Sequence, residues 1–339
     1  MNSNSDSNKT TNSSVPYDSL TPDVVLTSLE QQGFECNGHL LALNSYENRV
    51  YQIGLESGEY LITKYYRPAR WSDATILEEH EFSLELASYE LPIITPIADK
   101  NNKTLFQYKG FRFALFKRVS GRAPELDNNE HLKMLGRLMA RIHAVAATKP
   151  FYDRPKLSLE RFGNEALAYL LEHDCIALEV RQNFEMAART VLELCKQQLA
   201  RFSMIRQIRL HGDCHPGNIL WTDTGAHFVD LDDCQTGPAV QDLWMFLSGT
   251  NHEMESQLAV ILGEYTQFFD FDPSELALVE TLRSLRLIHY NAWLARRWSD
   301  PAFPQHFPWF DSPRYWEDQL ITLREQIERM NGPTLRWPV

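Results

Sequence analysis

One stretch limits what this chain can fold into: His211-Gly212-Asp213-Cys214-His215-Pro216-Gly217-Asn218, followed by Phe228-Val229-Asp230. An asparagine stands five residues after Asp213, and then come a short strand (Ile219-Leu220-Trp221), a turn (Asp223-Thr224-Gly225) and a second strand ending in Asp230. Any fold that accommodates this must present an amide oxygen and a carboxylate on either side of a hairpin, with a separate carboxylate in the preceding loop. Hard divalent cations take oxygen ligands, so Asn218 and Asp230 can share one. Asp213 is then left to orient an attacking hydroxyl or accept its proton. His211, Cys214 and His215 also admit a zinc reading, but no second ligand pair stands at suitable spacing.

Protein kinases use the same spacing of base aspartate, metal-binding asparagine and later metal-binding aspartate, because a γ-phosphoryl group carries dense negative charge that a cation must bridge. Composition agrees with a soluble catalyst of this kind. The 339 residues suffice for two lobes with real cores, and 43% hydrophobic content is ordinary for a globular protein. A formal net charge of −12 argues against non-specific binding to nucleic acid or to anionic membrane surfaces. No apolar run approaches the about 20 residues needed to span a bilayer. Five scattered cysteines without CxxC spacing are those of a cytoplasmic protein with reduced thiols. The Ser/Asn-rich start lacks the apolar core of a signal peptide, and residues 1–19 are expected to be a disordered tail.

Thr21-Pro22-Asp23 signals a helix start, with Gly33 as the stop. Strands follow at Leu40–Asn44, Arg49–Gly54 and Tyr60–Tyr65, an antiparallel meander. The turn between the first two strands, Asn44 to Arg49, carries no glycine; Ser45 and nearby backbone N–H groups can contact phosphates, and Arg49 supplies charge. Lys64 sits in the third strand, either as a solvent-side residue or as the lysine that contacts α/β-phosphates and pairs with a helix glutamate. In the amphipathic segment Ser72–Tyr89, at about 100° per residue, Glu79 falls near the border of the apolar arc while Glu78, Glu81 and Glu85 point outward. Glu79 is therefore the expected partner of Lys64, and Glu78 the fallback. Further strands are expected near Thr104–Tyr108 and Phe111–Phe116, joined at Lys109-Gly110, before a pliable Ser120-Gly121 link.

Beyond about Glu125 the pattern turns helical: His131–Ala147, Glu160–Leu171, Ala177–Arg201, Gln241–Gly249, Glu253–Phe269 and Ser274–Trp298. His143 reads as a packed helix residue, and Asp242 as a buried carboxylate that fastens the catalytic loop's backbone. The aromatic and proline-rich tail from Trp293 to Trp316 reads as packing against the helical lobe. The fold class is α+β: a two-lobed, kinase-like fold with a small antiparallel-sheet N-lobe (20–119) and a larger, mostly helical C-lobe (120–339).

Taken together, the motifs Asn44 to Tyr51, Lys64-Tyr65-Tyr66-Arg67-Pro68, Ile76 to His80, His211 to Trp221, Phe228 to Asp233, Gln241 to Met245 and Asp300 to Pro304 resemble a known family. It is the aminoglycoside phosphotransferase and choline kinase group, and within it the bacterial stress-response protein kinases. The resemblance implies ATP and Mg²⁺, transfer to protein Ser/Thr, and a cytoplasmic monomer. By motif, it makes Asp213 the proton acceptor, Asn218 and Asp230 the Mg²⁺ ligands, Ser45 an ATP-contacting loop residue and Lys64 the phosphate-binding lysine. The chain departs from ordinary protein kinases in its glycine-free loop, in Gly212 where HRD has arginine, and in Leu231-Asp232 where DFG has Phe-Gly. Only eleven residues separate Asp230 from Asp242, too few for a long regulated activation loop.

Three functions follow from these residues. The first is an ATP-dependent protein Ser/Thr kinase; the second is a small-molecule kinase acting on an amino alcohol, a sugar or an aminoglycoside. The third, a nucleotide-binding regulator without catalysis, is disfavoured because Lys64, Asp213, Asn218 and Asp230 are all present.

Overall fold

The computed structural model describes residues 16–337, so most of the tail expected over 1–19 lies outside the described residues. Its last residues differ from that expectation. Tyr17 is buried, with its ring against Phe111 and its hydroxyl 3.2 Å from the carbonyls of Glu47 and Tyr65.

The N-terminal unit opens with α1 (Pro22–Glu30), capped by the Thr21 side chain, which accepts from the Val24 N–H. A five-stranded antiparallel sheet follows in the order β1 (Cys36–Ala42), β2 (Arg49–Leu55), β3 (Tyr60–Tyr65), β5 (Phe111–Lys117) and β4 (Phe106–Tyr108). The β4–β5 turn puts Lys109 and Gly110 both at positive φ, the twist a two-residue hairpin needs. Val25 and Leu29 of α1 bury against Ile53, Tyr65 and Phe113 of the sheet. Between β3 and β4, α2 (Asp73–Ser88) starts at the cap Ser72. It buries Ile76, Phe82 and Leu86 while keeping Glu79 inside and Glu78 at the edge.

The rest is largely helical: α3 (Asn129–Ala146), α4 (Glu165–Glu172), α5 (Leu178–Arg201), α6 (Val240–Leu243), α7 (Asn251–Tyr265), α8 (Val279–Arg297), α9 (Ala302–His306) and α10 (Pro313–Asn331). One core forms around α3 and α7, with Leu135, Met139, Leu258 and Ile261 fully buried. A second forms where α4, α5, α8 and α10 meet, around Phe184, Ile288 and Trp316. Two small antiparallel sheets position the chemistry: β6 (Ile208–Leu210) with β9 (Gln235–Gly237), and the hairpin of β7 (Ile219–Thr222) with β8 (Gly225–Phe228).

The structure corrects the sequence reading in several places. The first strand begins at Cys36 rather than Leu40, carried past an irregularity in register between Cys36 and Leu40. The helix expected over Gln241–Gly249 stops early: α6 ends at Leu243, Trp244–Phe246 tightens into a 3-10 turn, and Leu247 is extended. The chain must turn there because a new helix starts immediately, nucleated by the reciprocal bonds of Thr250 and Glu253. β6 and β9 escaped notice because three residues are too few for a period. α10 was hidden by the aromatic density ahead of it, although Ser312-Pro313 is a regular helix start.

Candidate active site

The loop between β6 and β7 carries His211 to Asn218, and its path is fixed from below. Asp242, fully buried, accepts the His211 N–H at 2.8 Å and the Gly212 N–H at 2.9 Å, one on each carboxylate oxygen. His143 Nε2 lies 3.3 Å from the same carboxylate, and its Nδ1 is 2.8 Å from the Tyr265 hydroxyl. His143 is thus buried support behind the loop. Gly212 adopts φ +86°, and a Cβ there would run into the Asp233 carbonyl oxygen. No arginine could occupy that position, which accounts for the missing HRD side chain.

From this base the loop presents its functional groups. Asn218 donates through Nδ2 to the Asp213 carbonyl at 3.0 Å, which leaves its Oδ1 as the acceptor available to the cleft. The Asn218 carbonyl accepts the Val229 N–H at 3.0 Å, and His211 Nε2 is 2.9 Å from the Val229 carbonyl. These bonds tie the loop to the strand that ends at Asp230. The Asp213 carboxylate is held at Oδ1 by Arg286 Nη1 of α8, 2.5 Å away, with His215 Nε2 3.5 Å from Oδ2. Burial lowers the His215 pKa against the pull of Asp213, favouring the neutral ring.

Asp230 stands at φ 60°, ψ 67°, in the left-handed region, with its side chain about half exposed. One oxygen takes Lys64 Nζ at 2.9 Å. Lys64 is also 3.3 Å from Glu79 Oε1 and 3.4 Å from Asp232 Oδ1. Burial alone would lower the lysine's pKa, but Asp230, Asp232 and Glu79 together raise it well above the ordinary value. Glu79 is pushed up by burial to about 7, with Lys64 acting in the opposite direction. Glu78 points elsewhere and accepts the backbone N–H groups of Tyr152, Asp153 and Arg154. Asp232, fully enclosed, is matched by Arg70 and by Asn48 Nδ2 at 3.1 Å, and these partners depress its pKa against burial.

The glycine-free loop before β2 is held by its own side chains. The Glu47 carboxylate accepts from Trp293 Nε1 at 2.5 Å and from Arg297 Nη2 at 2.9 Å, both on α8, and lies 3.1 Å from Arg67 Nε, which donates to the Glu47 carbonyl at 2.9 Å. Asp300 receives Arg67 at 2.7 Å and Arg49 at 2.9 Å. Tyr46 packs edge-on against Phe307, with ring centroids 4.8 Å apart. The Ser45 hydroxyl donates to the Asn48 carbonyl at 3.2 Å. Loop and C-terminal helices are therefore clasped together. Of the groups expected at the site, Lys64, Glu79 and Asp230 come together in one cluster, and Asp213 and Asn218 share the loop tied to it. Arg49 instead turns its guanidinium to Asp300 and the Tyr46 carbonyl.

The sequence reading missed Glu47, Arg70, Asp232, Arg286 and Asp300. Glu47, Arg70, Asp232 and Asp300 lie inside or beside the recognised motifs, whereas nothing local pointed to Arg286. Cys214 and Cys234 are fully buried, and burial raises both thiols' pKa values, as for inert packed cysteines.

A lysine bracketed by a helix glutamate and a loop aspartate, under an antiparallel sheet and facing a second loop with a carboxylate and an amide, defines a kinase-type phosphotransferase. Residues 39–279 match the phosphotransferase enzyme family. Stress response kinase A of Escherichia coli (strain K12) is 41% identical over 325 residues, covering 96% of this chain and 98% of that protein. The serine/threonine protein kinase RdoA of Salmonella typhimurium is 41% identical over 320 residues, covering 94% and 96%. The chain belongs to the phosphotransferase enzyme family and, within it, to the stress response kinases. Solved structures share the fold at lower identity. An amicoumacin kinase in complex with AMP-PNP and Ca²⁺ aligns with TM-score 0.70 and 18% identity over 93% of this chain and 96% of that one. A microcompartment-associated aminopropanol kinase also aligns with TM-score 0.70, at 16% identity over 93% and 99%.

Proposed function

We propose that this kinase transfers the γ-phosphoryl group of ATP, with Mg²⁺, to serine or threonine of a protein during a stress response. The observation that carries the proposal is the cluster of Lys64, Glu79 and Asp230 beside the loop that holds Asp213 and Asn218. In this reading, residues 20–119 bind the nucleotide and 120–339 supply the catalytic and metal-binding loops. Lys64, braced by Glu79, places a fixed positive charge for the phosphates. The Ser45 loop contacts the nucleotide, whereas Arg49 acts through its ion pair with Asp300, keeping that loop in place.

The donor set suits Mg²⁺. The Asn218 Oδ1 and the Asp230 oxygen not taken by Lys64 are hard acceptors that no donor among the described residues occupies. Mg²⁺ commonly takes one or two protein ligands and completes its shell with phosphates and water. When bound, the ion would supply the positive charge that balances the transferring phosphoryl group. The chain's own residues do the rest. Asp213, oriented by Arg286, accepts the proton of the acceptor hydroxyl, and the Asp242 bonds keep the loop in register. A cytoplasmic setting agrees with the five free cysteines, three of them buried. Among the described residues no helix is long and apolar enough to cross a membrane. A monomer is the simplest working unit.

A second reading, a kinase for a small alcohol, is favoured by the short segment after Asp230, which offers little platform for a peptide, and by the fold it shares with kinases named for small molecules. Purified protein with labelled ATP and Mg²⁺ separates the two, offered either dephosphorylated casein or a panel of amino alcohols and sugars. Label on casein is the expected result; label only on the small alcohols refutes the protein-kinase reading. Asp213→Asn should cut turnover about 1,000-fold or more while leaving nucleotide affinity nearly unchanged.

A further inference from the structure

We propose that the acceptor side of the cleft selects a hydroxyl flanked by an anionic group, with Arg286 and Arg161 as the specificity-determining residues. The inference rests on the reading of Asp213 as the group that receives the acceptor's proton. The hydroxyl must come to the Asp213 carboxylate, and a guanidinium already stands there. Arg286 gives one N–H to Asp213 and has its side chain 40% exposed. Its other N–H groups find no partner among the described residues, although a guanidinium has five to offer in a fixed fork.

Three residues further along α8, His289 packs its ring on Phe162, centroids 4.3 Å apart, and the Arg161 guanidinium lies 5.2 Å from the same Phe162 ring. Among the described residues no carboxylate lies within ion-pair distance of Arg161; its side chain's one hydrogen bond goes to Gln235 Oε1 at 3.5 Å. Burial, opposed by Asp233, lowers the Arg161 pKa, and Arg70 and Arg154 lower it further. His289 is held neutral by burial and then by Arg161, with a pKa lowered to about 4.

The neighbouring arginines differ. Arg67 and Arg297 are matched by Glu47, Arg70 by Asp232 and Asp233, and Arg154 donates to the carbonyls of Cys234 and Asp232. Those side chains hold the fold together. Arg286 has donors to spare and stands on Asp213 itself, while Arg161 has no close ion pair among the described residues and lies against Gln235, whose amide sits beside Gly212, the residue before Asp213. Burying a guanidinium without a counter-ion is costly, and an incoming anion offsets that cost. A cationic amino alcohol would meet repulsion in the same place. The shared chemistry recognised is a carboxylate or phosphate group close to the acceptor hydroxyl, as in a serine flanked by Glu, Asp or phosphoserine.

The test uses the full-length wild-type protein with serine peptides whose flanking positions carry Glu, phosphoserine, Ala or Lys, reading kcat/KM. Acidic flanks should exceed alanine by about 10- to 100-fold, the range for gaining a charge-assisted hydrogen bond, with lysine flanks below alanine. A higher rate for phosphoserine than for Glu identifies the phosphate source; the reverse identifies the carboxylate. Arg161→Glu should invert the order in favour of lysine flanks. Arg286→Lys should raise KM for the acidic peptide more than KM for ATP. Serine phosphorylation indifferent to flanking charge, or faster beside lysine, overturns this inference and leaves the protein-kinase reading standing. Transfer confined to amino alcohols overturns both.

Discussion

Replacing Asp242 by asparagine tests whether the loop from His211 to Asn218 is fixed from beneath. In the native chain the two carboxylate oxygens each accept one backbone N–H, from His211 at 2.8 Å and Gly212 at 2.9 Å, in a site sealed from solvent. Asparagine keeps the shape but turns one acceptor into an NH₂ donor facing an N–H. One charge-assisted bond is lost and a buried donor is left unpaired, each a matter of about 1.5–3 kcal/mol. The expected loss of stability is thus about 3–6 kcal/mol, a large share of the about 5–15 kcal/mol that typically holds a domain folded. Because Gly212 precedes Asp213, the loop leaves its register as well. Urea denaturation reads the first effect and steady-state phosphoryl transfer the second. We expect kcat to fall about 10- to 100-fold, with KM for ATP little changed, since neither Lys64 nor Asp230 touches Asp242. A variant that unfolds at the same urea concentration as the parent and keeps its kcat would refute the reasoning.

Two further predictions concern other parts of the molecule. Glu47→Ala removes the acceptor of Trp293 and Arg297 from the clasp; KM for ATP should rise about tenfold or more, with a smaller effect on kcat, and an unchanged KM in steady-state kinetics counts against the clasp. Glu275 accepts the Val240 N–H at 2.8 Å, and burial raises its pKa from 4.5 to about 7. Between those two values the unfolded chain has released the proton while the folded chain retains it, so stability falls as pH rises, and above the upper value the loss is complete. The loss amounts to about 3 kcal/mol, and Glu275→Gln should remove it, seen as a difference between the two proteins' denaturation curves across that range.

Much of this molecule was readable because its signals are local. The hairpin between Asn218 and Asp230, the meander over β1 to β3 and the closeness of Lys64 to Glu79 depend on spacing within a few turns or strands, and periodicity records that. The role of Asp242 was readable although its partners are 30 and 31 residues away, because an aspartate in the first turn of the helix after such a loop is a recognisable pattern. The clasp was not. Glu47 and Arg297 are 250 residues apart in the chain, and nothing near either one announces the other. A glycine-free loop therefore looked like an ordinary hairpin, with Arg49 its obvious charge, when tertiary ion pairs set its conformation. The break at Trp244 was missed because the apolar pattern continues through it, and only the competing start at Thr250 ends the helix.

The backbone of Asp230 has a practical consequence for anyone dissecting this enzyme. Left-handed geometry is tolerated by asparagine and glycine and resisted by most other side chains. Alanine scanning at this position would confound a missing oxygen with a distorted main chain, and glycine would add looseness of its own. The amide isostere alone exchanges a charged oxygen for a neutral one on an unchanged frame, which makes Asp230→Asn the substitution whose phenotype can be assigned to chemistry.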